Sequence, residues 1–152
     1  MLVLDTDQLS VLEWADGPAA EQLRQRLNDS AEPKATTIVT YEEQSRGWLA
    51  YVARAKSRTD QLDAYRRLSL HLPMYRRPSM HVLDFDAWAE SEYHRQRKTG
   101  VNIGTLDLRI AAIALVLDAT LLTANSKDFI KVPGLRFEDW LSSPPSGSTR
   151  ST

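Results

Sequence analysis

Residues 104–117 read GTLDLRIAAIALVL. From Leu106 to Leu117 the chain is apolar at nearly every position, and a helix apolar on all sides has no face for water and belongs inside the molecule. Its only polar residues lie near the start, where Thr105 is the predicted N-cap. A fully buried helix needs layers on both sides of it or a sheet beneath it, so the flanking segments settle the class. Thr120–Thr123 follows as a short buried strand, Pro133 and Gly134 as a turn, and Leu135–Phe137 as a last strand.

Upstream the same alternation appears. Met1–Leu4 is an apolar run ending in Asp5 and reads as an opening strand, followed by a helix through Trp14. Asp16, Gly17 and Pro18 break the chain, and Ala19–Leu27 resumes as a helix with Leu23 and Leu27 on one face. After a loop over Asn28–Pro33, the β-branched Thr36–Thr40 is a predicted strand. Tyr41–Ala55 carries acids first and arginines later, the order that suits a helix dipole. Thr59–Leu72, with Leu62, Tyr65, Leu68 and Leu72 at helical spacing, completes a predicted helical hairpin. Pro73 and Pro78 bracket a loop, His81–Leu83 is a short strand, and Asp86–Thr99 a polar helix. The expected fold is an α/β/α sandwich around a mainly parallel sheet, with one domain over residues 1–141 and a disordered Ser-, Pro- and Gly-rich tail over 142–152.

Composition narrows the chemistry. The 152 residues are 42% hydrophobic and 26% charged, with a formal net charge of −1, so no overall field draws the protein to nucleic acid. Basic clusters at Arg54/Lys56/Arg58, Arg66/Arg67, Arg76/Arg77 and Arg95/Arg97/Lys98 read either as solvated helix faces or as phosphate contacts. The absence of cysteine removes disulfides and thiolate chemistry. His71, His81 and His94 show no metal spacing. No apolar run reaches the roughly 20 residues of a membrane span, and the cytoplasm is the expected location.

Open parallel sheets gather functional groups at the C-terminal ends of their strands. Six residues of this chain meet that condition: Asp5, Glu42, Glu43, Asp107, Asn125 and Asp128. Each has an ordinary alternative as a cap, a dipole partner or a turn residue. Asp107 is the hardest to explain in that way, because Leu106, Leu108, Ile110, Ala111, Ala112 and Ile113 surround it. A carboxylate there needs compensation, and a divalent cation shared with other acids supplies it. Such a cation, Mg2+ or Mn2+, favours phosphodiester hydrolysis.

The segments MLVLDTD (1–7), VTYEEQSRGWLA (39–50), NIGTLDLRIAAIAL (102–115) and LLTANSKDFIKVPGLRFEDW (121–140) together resemble the PIN domain, specifically the VapC toxin group. The resemblance spans most of residues 1–141 and implies a Mg2+- or Mn2+-dependent endoribonuclease, leaving 5′-phosphate ends. It also implies a VapB-like antitoxin, seated near the acids, and a homodimer. Carried over residue by residue, it places Asp5, Glu43 and Asp107 on the metal, with Glu42 a neighbour. Asn125 stands where the family often has aspartate, and Asp128 supports the site from three residues later. Thr123 and Ser126 are candidate hydrogen-bonding partners of the site. Arg46 and Arg109 are candidate RNA-phosphate contacts, because guanidinium forks match phosphate oxygens.

Two other readings remain open at the level of sequence. One is a PIN fold without activity, an RNA- or protein-binding module for which Asn125 is the first sign. The other is a haloacid-dehalogenase-type phosphatase, suggested by Asp5-Thr6-Asp7 after an apolar strand. Against it, Leu9 stands where that family has Thr or Val.

Overall fold

The computed structural model describes residues 1–142; the expected tail lies, apart from Ser142, outside them. In chain order the elements are β1 (Leu2–Leu4), α1 (Thr6–Trp14), α2 (Pro18–Asp29), β2 (Lys34–Thr37), α3 (Ile38–Arg54), α4 (Arg58–His71), a 3₁₀ turn (Leu72–Arg76), β3 (His81–Leu83), α5 (Ala87–Lys98), α6 (Thr105–Val116), β4 (Thr120–Leu122), α7 (Ser126–Phe129) and β5 (Arg136–Glu138). The five strands form one sheet in the order β3-β2-β1-β4-β5, with every pair parallel. β1 is central. The chain builds outward from it first to β2 and β3 and then, on the other side, to β4 and β5, so the strand order reverses beside the C-terminal end of β1.

The pleat distributes the core. Val3 and Leu121 point to one face, where they meet Leu108, Ile110, Ala111 and Ile113 of α6, Ala89 of α5 and Phe129 of α7. Leu2, Leu4 and Leu122 point to the other, against Leu9 of α1, Leu23 and Leu27 of α2, Met74 and Trp140. Alternation along a three-residue strand thus fills two separate layers, and the result is the α/β/α sandwich expected. α6 packs its buried face on the sheet and lies against α5.

Four local expectations differ from the structure. The strand expected over Thr36–Thr40 ends at Thr37, because the Thr37 side chain accepts the Thr40 N–H and caps α3; the capping hydroxyl overrides β-propensity. α3 therefore starts at Ile38, and Glu42 and Glu43 fall in its second turn, with no acid in the first. Gly104, not Thr105, is the N-cap of α6, and Thr105 is its first helical residue. The 72–76 segment is a 3₁₀ turn, and Leu62 and Tyr65, expected on the apolar face of α4, are exposed.

Candidate active site

Asp5 leaves β1 directly into α1. Its side chain accepts the Thr6 N–H at 2.7 Å, which makes it the N-cap of that helix, and its other oxygen accepts the Thr123 hydroxyl at 2.8 Å. Thr123 follows β4, so this one bond ties the ends of the two central strands across the point where strand order reverses. Asp5 is only 5% exposed. Burial raises its pKa to about 7, with the neighbouring Asp7 carboxylate adding to the effect.

Glu43 reaches the same place from α3. Its carboxylate accepts the Thr6 hydroxyl at 3.0 Å, and its charge acts on both Asp5 and Asp107. Asp107 sits in the first turn of α6 and is half-buried. Burial is the main cause of its raised pKa, followed by the charges of Glu43, Asp128 and Asp7. A Cβ on Gly104 would stand 3.4 Å from the Asp107 carboxylate, in ordinary van der Waals contact. Asn125 lies 3.5 Å from Asp107 and donates to Asp128 at 3.1 Å. That bond, more than Lys131 at 3.4 Å, holds the Asp128 pKa down.

The structure thus gathers Asp5, Glu43, Asp107, Asn125 and Asp128 from four segments to one edge of the sheet. Two groups the sequence did not single out for the site belong to it as well. The Thr6 hydroxyl holds Glu43. Asp7 accepts the Ala124 N–H at 2.9 Å, lies 3.4 Å from the Thr123 hydroxyl, and is itself pushed up in pKa by burial. Their only signal was adjacency to Asp5, which put them in the first turn of α1. Thr123 holds the site together, as stated; Ser126 is exposed at the start of α7.

The two arginines are placed differently. Arg46 is exposed on α3 and paired with Glu42 at 2.5 Å. Arg109 lies two residues past Asp107, roughly 200° around the helix. Its guanidinium stacks 5.6 Å above Phe85 and 5.7 Å above Tyr93, on the side of α6 that faces α5.

Whether these residues suit a metal is a matter of donor chemistry. Among the described residues no three acidic or imidazole side chains form a ready metal cage; the Thr6 hydroxyl bonds Glu43, the Thr123 hydroxyl Asp5, and the Asn125 amide Asp128. The donor set is nevertheless all oxygen, which suits hard divalent cations. After burial, the charges of neighbouring acids add to the raised pKa of Asp5 and of Asp107, as expected where like charges converge.

A family model described as PIN domain matches residues 2–135. Ribonuclease VapC2 of Rickettsia felis is 37% identical over 65 residues, which are 40% of this chain and 48% of that protein. Ribonuclease VapC1 of Haemophilus influenzae is 40% identical over 58 residues, 38% of this chain and 40% of the relative. The matched stretch therefore spans less than half the length of these curated relatives. The structure of VapBC2 from Rickettsia felis bound to a DNA fragment from its promoter superposes with a TM-score of 0.68 and 23% identity, covering 91% of this chain and 98% of that one.

Proposed function

The chain belongs to the PIN domain family, and from that premise we propose that it is a divalent-metal-dependent endoribonuclease, the toxin of a toxin–antitoxin pair. The observation that carries the reading is the convergence of Asp5, Glu43 and Asp107 at the C-terminal edge of the parallel sheet, where strand order reverses. The similarity to two proteins named ribonuclease supports the substrate class, and membership of this family replaces the phosphatase reading. Among the described residues no helix is long and apolar enough to cross a membrane.

In this reading Asp5, Glu43 and Asp107 hold the ion. Bound there, Mg2+ or Mn2+ supplies a water of lowered pKa and offsets the charge that builds on a phosphoryl oxygen. The protein's part is position. Thr123 and the Thr6 N–H fix Asp5, the Thr6 hydroxyl fixes Glu43, and Asn125 separates Asp107 from Asp128. Asp5, buried at the end of β1, sits in a low dielectric, where its attraction for a cation is strengthened. Arg46 is the better of the two arginines to meet an RNA phosphate, since its salt bridge is exposed and exchangeable, whereas Arg109 is committed to two rings. The biological partner in this reading is a small antitoxin protein resembling those in the VapBC complexes whose fold matches, and the active form is a homodimer.

The test is incubation of the full chain with a mixed RNA pool in Mg2+, Mn2+ or chelator. Cleavage with either metal and none with chelator is expected. RNA binding with no cleavage in any condition would instead favour the inactive binding module, the reading to which Asn125 lends its support.

A further inference from the structure

Glu13, in the last turn of α1, turns its side chain inward toward His71, the last residue of α4. Three polar atoms of this pair are buried without a hydrogen-bond partner: both carboxylate oxygens of Glu13 and Nδ1 of His71. Oε1 and Nδ1 stand 3.9 Å apart, beyond hydrogen-bond length. Aromatic rings close the place off. Tyr41 of α3 stacks on the imidazole with centroids 5.8 Å apart, and Tyr75 and Trp48 meet it at steeper angles. The other imidazole nitrogen, Nε2, lies 3.3 Å from the Ser45 hydroxyl of α3.

Such a place does not suit charge. An ionised Glu13 is a buried anion beside the negative end of its own helix dipole. The cations that could offset it are engaged or exposed. Arg24 of α2 donates to the Leu12 and Ala15 carbonyls, and Arg67 of α4 pairs with Asp63. Arg77, exposed just past the 3₁₀ turn, reaches Glu13 only through its charge. The Tyr75 hydroxyl is taken up by Gln44. Burial raises the Glu13 pKa to about 7, against the lesser pull of the Trp14 indole and of Arg77, and burial lowers that of His71. Both shifts favour neutral forms. One proton on Glu13 then serves both residues, because the carboxyl O–H can donate to Nδ1 of a neutral imidazole whose Nε2–H donates to Ser45.

We propose that Glu13 and His71 form a proton-operated latch between α1 and the α3–α4 hairpin: a proton on Glu13 closes the 3.9 Å gap into a hydrogen bond to Nδ1, and its loss releases the two. α1 carries Asp5 at its other end and α3 carries Glu43, so the latch sets how firmly the helices bearing those two acids are joined. It needs no metal and stands independently of the nuclease reading.

The experiment is urea unfolding of the full chain in chelator across the pH range, wild type against Glu13→Gln, with 15N NMR of the His71 ring in wild type. Glutamine offers Nδ1 an NH2 donor at every pH. In wild type the Glu13 pKa, raised from 4.5 to about 7, means that the native protein holds a proton the unfolded chain has released. The stability this group contributes is therefore complete below about pH 4.5 and is lost as pH rises to about 7. Asp5 titrates in both proteins and cancels in the comparison. From about pH 4.5 to about pH 8 the unfolding equilibrium constant of wild type should rise relative to Glu13→Gln by on the order of a hundredfold. At about pH 6, Nδ1 of His71 should carry no hydrogen and Nε2 should carry one. A ratio of unfolding constants that stays flat with pH overturns the latch. So does an imidazole protonated on both nitrogens at that pH, the mark of a buried ion pair. The ring measurement needs wild type alone and decides the matter even where Glu13→Gln fails to fold.

Discussion

Asp107→Asn is expected to lower the metal-supported rate of RNA cleavage by about a thousandfold or more, since a metal's charge stabilisation is worth several kcal/mol and each 1.4 kcal/mol is about tenfold. The substitution is close to isosteric. It leaves the first turn of α6 without its acid, a loss of a few tenths of a kcal/mol to roughly 1 kcal/mol in helix-dipole energy, partly offset by release from the charges of Glu43, Asp128 and Asp7. Folding should therefore survive while activity does not. Initial rates in Mn2+, with far-ultraviolet circular dichroism to verify the fold, separate the two. A variant that folds and cleaves within tenfold of wild type would remove Asp107 from the site.

Asp5→Asn should do the opposite to stability. The folded-state pKa of Asp5, about 7, lies above its ordinary value of 3.8, so between those values the native protein holds a proton that the unfolded chain has released. Stability from this group is complete below about pH 4 and is lost as pH rises to about 7. Above that, wild type carries a buried charge. Asparagine has none, yet its carbonyl can still accept from Thr6 or Thr123 and it caps helices as well as aspartate. In chelator, urea unfolding of Asp5→Asn should exceed wild type by about 2 kcal/mol at pH 8, with the difference closing near pH 4. Added Mn2+ should then stabilise wild type and not the variant. A variant less stable than wild type at pH 8 would mean that the Asp5 carboxylate stabilises the metal-free fold.

These two effects have different visibility in the sequence. The apolar surroundings of Asp107 marked it directly, because Leu108 and Ile110–Ala114 are buried, although Val116 and Leu117 at the end of the run are exposed. The strand β1 was equally plain, since Leu2, Val3 and Leu4 are all buried and a short apolar run records burial on both faces. What the chain did not reveal is governed by single hydrogen bonds. The Thr37 hydroxyl ended β2 three residues early, and the bond from Thr123 to Asp5 joins positions that no local pattern connects.

Glu13 and His71 make the same point away from the active site. Their side chains are 8% and 1% exposed, with Nδ1 of the histidine 3.9 Å from the glutamate. His71 also stacks on Tyr41, and its other ring nitrogen lies 3.3 Å from the Ser45 hydroxyl. Spacing along α1 gives no indication that Glu13 turns inward, because the polar face of a helix becomes interior only where another helix covers it. Arg109 was misleading for a related reason. An arginine two residues from an acid is close in sequence but, on a helix, on another side, and the aromatic rings of Phe85 and Tyr93 take it up.

Anomalous scattering from crystals of the full chain soaked in Mn2+ shows whether the carboxylates at this sheet edge hold a divalent ion. One dominant peak in contact with the carboxylates of Asp5, Glu43 and Asp107 is expected. A peak elsewhere, or none at Mn2+ concentrations that support cleavage, would contradict it.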